Sequence, residues 1–393
     1  MAVEHALFQH ELYFAGMAGE TPALPMSYPA LEAAARDHLD DRAFGYVAGG
    51  AGVESTMANN RRALDDVVLV PRMMRDVTTR DLSIELLGAT LATPVLLGPV
   101  GVQSIIHPDA EKATARAAAG LGLPFVLSTV SSFTLEDVAE EAGDGPRWFQ
   151  LYWPAEREVA ASLVRRAEAA GYGAIVVTLD TKLLAWRPRD LTTAYLPFLH
   201  AEGLANYLVD PAFLALLQDP PEANMPMAIL RWAGLFSDKA VTWDDLAWLA
   251  GQTALPIVVK GIQHVDDAVA AIDHGVAGMI VSNHGGRQID GAVGSARVLP
   301  DVVDAVAGRV PVLFDSGIRS GADIAKALAL GASAVLVARP WCWGLALGGE
   351  DGVRHVLRSL LAELDLTMAL AGVTSIDGLN RDILRGATDG PAR

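Results

Sequence analysis

A single cysteine, Cys342, stands among 393 residues. The chain can close no intramolecular disulfide and build no thiolate metal cage, and this usage fits a reducing, cytoplasmic setting. Positive charge is scarce as well: 30 Lys and Arg face 47 Asp and Glu, a formal charge of −17. Nucleic acid and anionic membrane surfaces are gripped through clustered cations, so neither is an expected partner. The N-terminus carries Glu4 and Glu11 and has no basic segment ahead of an apolar run, unlike a secretion signal. Long apolar runs are missing too. The one charge-free stretch long enough to suggest a membrane span, 86–108, contains Pro94, Pro99, Pro108, Gln103 and His107, and reads as a buried strand with its turns. There is no G-x-S-x-G elbow, Walker loop or Rossmann G-x-G-x-x-G, and His200-Ala-Glu202 has no cysteine pair to complete a metal site, so no metal is expected.

What is present is apolar material, 51% of residues, in a regular alternation from about residue 95 onward. Short aliphatic runs at 95–100, 125–129, 148–153, 174–180, 256–262, 278–285, 311–317 and 334–339 read as strands. Between and after them, helical spacing occupies 109–121, 134–142, 156–170, 242–250, 265–274, 299–307, 320–330 and 352–371. Thr134 with Asp137, and Ser320 with Asp323, suit N-caps. Eight strand-helix units whose strands are too apolar to face water predict an α/β chain closed into a (β/α)8 TIM barrel, in preference to an open doubly wound sheet. The chain, 1–393, reads as one domain: an N-terminal helical extension (1–75), the barrel, and a lid-like insertion (181–241) after the fourth strand, rich in Leu, Pro and aromatics.

Barrels of this kind carry their chemistry at the C-terminal ends of the strands. Nearly every expected strand ends on polar residues: Gln150 and Tyr152, Thr178 and Asp180, Lys260, Ser282 and His284, Asp315, and Arg339. Any one of these long side chains could simply be snorkelling, but the set calls for a site. The turn Asp315-Ser316-Gly317-Ile318-Arg319, with Ala338 and Arg339 after the last strand, suits a phosphate held by backbone N–H groups. In Ser282-Asn-His284-Gly-Gly-Arg287, the histidine is a candidate general base and the guanidinium a bidentate clamp for a carboxylate. Asp180 can orient that imidazole, and Arg187 is a second clamp candidate unless it pairs with Asp190.

Together with Val259-Lys-Gly-Ile262, Phe149-Gln-Leu-Tyr152 and Thr178-Leu-Asp180, these motifs resemble the FMN-dependent L-2-hydroxyacid oxidases and dehydrogenases over about residues 20–385. Within that family, Leu24-Pro-Met-Ser-Tyr28, Tyr46-Val-Ala-Gly-Gly50, Trp186-Arg-Pro-Arg-Asp190 and the long insertion are most similar to the lactate 2-monooxygenases. The resemblance implies FMN lying along Pro99, Val100 and Gly101, with Ser128, Gln150, Thr178, Lys260 and Ser282 completing its site. Asp315, Ser316, Gly317, Ile318, Arg319, Ala338 and Arg339 would hold ribityl and phosphate groups, although the family usually has Gly where Ala338 stands. It further implies His284 as base and Asp180 as its partner, Arg187 and Arg287 on the substrate carboxylate, and Tyr46 and Tyr152 on its polar groups. Gly101 replaces the alanine of many relatives and would enlarge the space where oxygen reacts.

The leading expectation is a lactate 2-monooxygenase reaction, L-lactate and O2 to acetate, CO2 and water. A 2-hydroxyacid oxidase releasing keto acid and H2O2 stands second and a dehydrogenase using another acceptor third; a redox-silent barrel is disfavoured by His284 and Arg287. Lys182, Leu184 and Ala185 depart from the monooxygenase pattern, which leaves the substrate range open. The family also implies a homo-oligomer, a tetramer or octamer.

Overall fold

In the computed structural model, which describes residues 4–386, eight parallel strands close on themselves in sequence order. They are β1 (Val95–Leu97), β2 (Phe125–Ser128), β3 (Arg147–Tyr152), β4 (Ile175–Thr178), β5 (Ile257–Ile262), β6 (Gly278–Val281), β7 (Val312–Phe314) and β8 (Ala334–Val337), with β8 pairing back onto β1. Alternate residues point inward, and Leu96, Val126, Trp148, Val176, Val258, Ile280, Leu313 and Leu336 fill the barrel. Their neighbours Leu127, Phe149, Val177, Val259, Val281 and Val337 belong to the outer core. Both faces of each strand are buried, which is why the strands read as continuous apolar runs.

Most of the expected strands overshoot at their C-terminal ends; β5 ends at Ile262 as expected. Pairing in β6 stops at Val281 and in β7 at Phe314, because the chain then turns through positive φ at His284 (57°) and Ser316 (86°). Asp180, Ser282, His284, Asp315 and Arg339 therefore sit just beyond their strands, whereas Gln150, Tyr152, Thr178 and Lys260 lie within β3, β4 and β5 as expected. The caps hold as expected: Thr134 accepts from Asp137 N–H at 3.1 Å and Ser320 from Asp323 N–H at 3.1 Å. One helix, Ser295–Val306, begins earlier than its apolar spacing suggested and takes Pro300 in its interior.

The stretch 86–108 is not one strand with turns. It contains the second half of a hairpin, Ile84–Leu86 with Ala89–Leu91, followed by β1 and the 3-10 turn Gln103–Ile105. Leu86 and Leu91 join the barrel-interior cluster, so the hairpin plugs one end of the barrel. No helix among the described residues is long and apolar enough to cross a membrane.

The N-terminal extension supplies the helices Leu7–Met17, Tyr28–His38, Asp41–Ala48 and Ser55–Asp65. The last of these lies against the loops that follow β6 and β7. Asn60 and Asn283 exchange two amide hydrogen bonds of 2.8 and 2.7 Å, and Arg61 reaches the Gly317 carbonyl and, at 2.7 Å, Asp323. The insertion between β4 and β5 holds the short helices Pro188–Thr193, Ala205–Leu208, Pro211–Leu214 and Met225–Leu235.

The final helix, Arg339–Ala371, breaks at Gly348 and Gly349, and its two arms fold together at Gly344 and Gly352. A Cβ on Gly352 would stand 2.0 Å from the Gly344 carbonyl oxygen. Gly352→Ala is expected to cost about 1–3 kcal/mol by overpacking, read as a lower urea midpoint; an unchanged midpoint would contradict this close approach.

Candidate active site

The loop after β6 is pinned by side chains from its neighbours. Ser282 Oγ accepts from His284 N–H (3.0 Å), Asn283 Oδ1 from Gly286 N–H (3.1 Å), and Ser316 Oγ from the N–H groups of Asn283 (3.3 Å) and Gly285 (3.0 Å). These bonds hold His284 at its unfavourable φ, a strain of the kind found where geometry is imposed for function. Its Nδ1 lies 2.8 Å from Asp180 Oδ1, which also accepts from Thr181 Oγ at 3.0 Å. Burial opposes charge on Asp180, but His284 and Lys260 overcome it and hold the carboxyl down at about 2. Burial, aided by Lys260 and Arg187 and opposed by Asp180, lowers His284 below 6.5. The pair is therefore an ionised carboxylate and a neutral imidazole with its proton on Nδ1, leaving Nε2 able to take another.

His284 borders a cavity of about 310 Å³ at the C-terminal end of the barrel. Its walls bring together Tyr46, Pro99, Val100, Gly101, Tyr152, Arg187, Lys260, Arg287, Arg319, Ala338 and Arg339 with the 315–318 turn, drawn from segments far apart in sequence. Lys260 has a partner in Asp315 at 3.3 Å and donates to Ser282 at 3.0 Å. The guanidiniums do not. Among the described residues Arg187, Arg287, Arg319 and Arg339 form no ion pair; they are braced only by neutral acceptors and rings. Arg187 in particular does not pair with Asp190, whose carboxyl is pushed up by burial. Burial lowers Arg287 to about 10 and Arg339 to about 9, with neighbouring guanidiniums adding to both shifts. Uncompensated buried cations of this kind call for anions from outside the chain.

Ser128, Gln150, Thr178 and Ser282 do not line this cavity. They form a buried polar layer beside it, in which Ser128 Oγ meets Gln150 Oε1 at 3.1 Å and Gln150 Nε2 donates to Thr178 Oγ at 3.0 Å. The phenols of Tyr46 and Tyr152 are raised by burial and stay protonated, as hydrogen-bond donors. Cys342 also borders the cavity, but burial raises its thiol and keeps it neutral.

Comparison with known proteins decides what this arrangement belongs to. The model of the family described as FMN-dependent dehydrogenase matches residues 35–386. The chain belongs to that family. It is 44% identical over 355 residues to an L-lactate oxidase of Lysinibacillus sphaericus, covering 90% of this chain and 91% of the relative. It is 42% identical to a 4-hydroxymandelate oxidase of Amycolatopsis orientalis, covering 91% of this chain and 97% of the relative. A crystal structure of mandelate oxidase superposes with a TM-score of 0.81 at 42% identity, covering 92% of this chain and 98% of the other. The protein is an FMN-dependent oxidoreductase of the 2-hydroxyacid oxidase and dehydrogenase family. Lactate and mandelate oxidases stand side by side among its relatives, so they do not single out the lactate 2-monooxygenases as the branch it joins.

The donor set fits the family's cofactor. Beyond β7, Ser316 and Gly317 at positive φ form an open nest in which the Gly317 and Ile318 N–H groups have no protein acceptor among the described residues, with Arg319 and Arg339 alongside. This arrangement suits a phosphate, and the polar layer of Ser128, Gln150 and Thr178 offers donors and acceptors that suit a heteroaromatic edge.

Gly101 has a different meaning from the one its sequence suggested. A Cβ there would point at Val130, 2.6 Å from both its Cγ2 and its carbonyl oxygen. The missing methyl thus permits close packing against the loop after β2 and does not open space in the cavity. Three features escaped sequence reading. Asn60 and Arg61 on the extension brace the motif loops; Gln288 contacts Arg187; and Phe198, Trp232 and Phe236 of the insertion form an aromatic cavity wall with ring centroids 4.9–6.3 Å apart. Only the aromatic richness of 181–241 hinted at the last.

The titration of His284 gives a sign that can be checked. Because its folded value lies below 6.5, the unfolded chain binds the proton more readily, and the neutral imidazole persists as pH falls through 6.5. The acid limb of kcat/KM is expected below pH 6.5, and stability contributed by the neutral ring is complete above that value and lost as the pH drops under it. An acid limb above this value would contradict the assignment.

Proposed function

We propose that the protein oxidises an L-2-hydroxyacid with an apolar side chain to the 2-keto acid and passes the electrons to O2, releasing H2O2. The observation that carries this reading is the pairing, in one cavity, of the neutral His284 with the guanidiniums of Arg187 and Arg287, neither of which has an acid partner among the described residues. A 2-hydroxyacid supplies both missing pieces, a carboxylate for the clamp and a proton for the base.

Arg187 and Arg287 bind the carboxylate, and the protonated phenols of Tyr46 and Tyr152 donate to the substrate's oxygens. Nε2 of His284 takes the proton the substrate gives up, and the ionised Asp180 stabilises the imidazolium that forms. FMN, when bound, accepts the two electrons. Lys260, held by Asp315 and Ser282, keeps a positive charge at the cavity wall, where negative charge develops. Leu184, Leu196, Phe198, Trp232 and Phe236 of the insertion give the substrate side chain an apolar wall and act as a lid over it. Exposed Tyr13, Phe14 and Met17 on the first helix support a homo-oligomer.

The sequence put the monooxygenase reaction first. The relatives named as lactate and mandelate oxidases favour the peroxide-releasing alternative, and the quoted motifs serve the shared half-reaction and so do not separate the two. One observation keeps a second reading: the insertion lines the cavity with Leu184, Leu196, Phe198, Trp232 and Phe236, and slow release of the keto acid past this wall would let peroxide decarboxylate it, giving acetate from lactate.

Anaerobic addition of L-lactate and of mandelate to the holoprotein should bleach its flavin absorbance, and admission of air should yield keto acid with peroxide. Acetate in place of pyruvate would move the assignment to the second reading, and no bleaching with any 2-hydroxyacid would overturn both. His284→Gln is expected to slow bleaching by about 10²–10⁴-fold with flavin retained; near-parental bleaching would remove His284 as the base.

A further inference from the structure

Gln288 lies one residue beyond the histidine-arginine motif, and its half-buried amide is occupied at both ends. Oε1 accepts from Arg187 Nη2 at 2.9 Å, while Nε2 donates to the backbone carbonyls of Asp180 at 2.8 Å and Leu183 at 3.3 Å. Arg187 makes a second bond to the same loop, from Nε to the Arg287 carbonyl at 3.1 Å. The guanidinium is thus oriented by two consecutive residues, 287 and 288, the first of which is itself the other half of the clamp. Through the Asp180 carbonyl, the same amide is tied to the residue whose carboxylate holds His284.

Only a primary amide meets these demands. It offers an acceptor to the guanidinium and two N–H donors to the carbonyls, whereas a carboxylate would accept but could not donate. Its neutrality matters equally. An acid at this position would pair with Arg187 inside the protein and compete with the substrate for its charge. A neutral acceptor aims the guanidinium and leaves its charge unspent.

We propose that Gln288 is a positioning residue for substrate binding, setting the direction of Arg187 and its distance from the His284 and Asp180 pair while leaving the guanidinium's charge to the substrate carboxylate. This rests on the carboxylate-clamp reading of Arg187 and Arg287. A displacement of about 1 Å between clamp and base can cost about 10²-fold in rate, which gives a bracket between them its value.

The test uses holoenzyme carrying Gln288→Met, which keeps length and removes both ends of the amide, and Gln288→Glu, which keeps an acceptor and adds charge. Oxalate, a small carboxylate with no α-hydrogen, is titrated against the flavin absorbance, and KM, kcat, flavin content and Tm are measured alongside. Gln288→Met is expected to raise the oxalate Kd and the substrate KM by about tenfold or more, with a smaller fall in kcat, as expected from losing a hydrogen bond to a charged group. Gln288→Glu should weaken oxalate at least as much, with flavin content and Tm at parental values. A Gln288→Glu variant that binds oxalate like the parent would overturn the proposal, as would variants that lose flavin and kcat with KM unmoved, the pattern of a purely structural role. Should the parent itself fail to bind oxalate, the clamp reading falls and the proposal falls with it; a parent that binds oxalate beside insensitive variants leaves the clamp standing and removes Gln288 alone.

Discussion

Positive charge without an internal counter-ion organises this end of the barrel. Arg187 and Arg339 are buried, Arg287 and Arg319 are half-buried, and none of their guanidiniums meets a carboxylate among the described residues, although acidic residues exceed basic ones by 17 across the chain. Each unpaired buried ion costs about several kcal/mol, a cost that no carboxylate among the described residues offsets. The chain tolerates them by spending backbone carbonyls: Val47, Gly49 and Gly285 on Arg339, Tyr46 and Gly49 on Arg287. These neutral acceptors steer the guanidiniums without cancelling them. An acidic exterior around a cationic interior follows, suited to an anionic cofactor and an anionic substrate.

That arrangement explains why the N-terminal extension belongs to the site. Apart from that of Gly285, the carbonyls that brace Arg287 and Arg339 come from the helix Asp41–Ala48 and Gly49 after it, and Tyr28 stacks against Arg319 with the guanidinium 4.4 Å from the ring centroid. Farther along, Asn60 and Arg61 tie down the loops after β6 and β7. The barrel supplies strand ends at fixed spacing; the extension supplies the acceptors that turn those ends into an anion site. The insertion contributes aromatic rings to the cavity wall together with Arg187, one half of the clamp, and its Phe198 packs against Tyr46 of the extension.

Sequence reading recovered what is local or carried by motifs. Eight strands were visible because burial on both faces leaves no polar alternation to confuse, and two caps were visible because Thr134 and Ser320 stand three residues before their aspartates. The His284 and Asp180 pair was legible from chemistry at strand ends. What was missed depends on contacts distant in sequence. Asn60 meets Asn283 across 223 positions, and no pattern around either residue announces the other. The second strand of the hairpin, Ala89–Leu91, was absorbed into a single apolar stretch, since strands of three residues are too short for periodicity to resolve. Gly101 was read from what alanine would add to the cavity, whereas its missing Cβ faces Val130; direction is a three-dimensional property that composition does not contain.

The central claim is that this cavity holds two anions, a phosphate and a carboxylate, on guanidiniums the protein leaves uncompensated. Thermal denaturation of the flavin-free protein, titrated with FMN or riboflavin in the presence and absence of oxalate, tests it most directly. FMN should raise Tm well beyond riboflavin at equal concentration, and oxalate should add a further increment to the FMN complex. Equal stabilisation by riboflavin and FMN, with no increment from oxalate, would contradict the account.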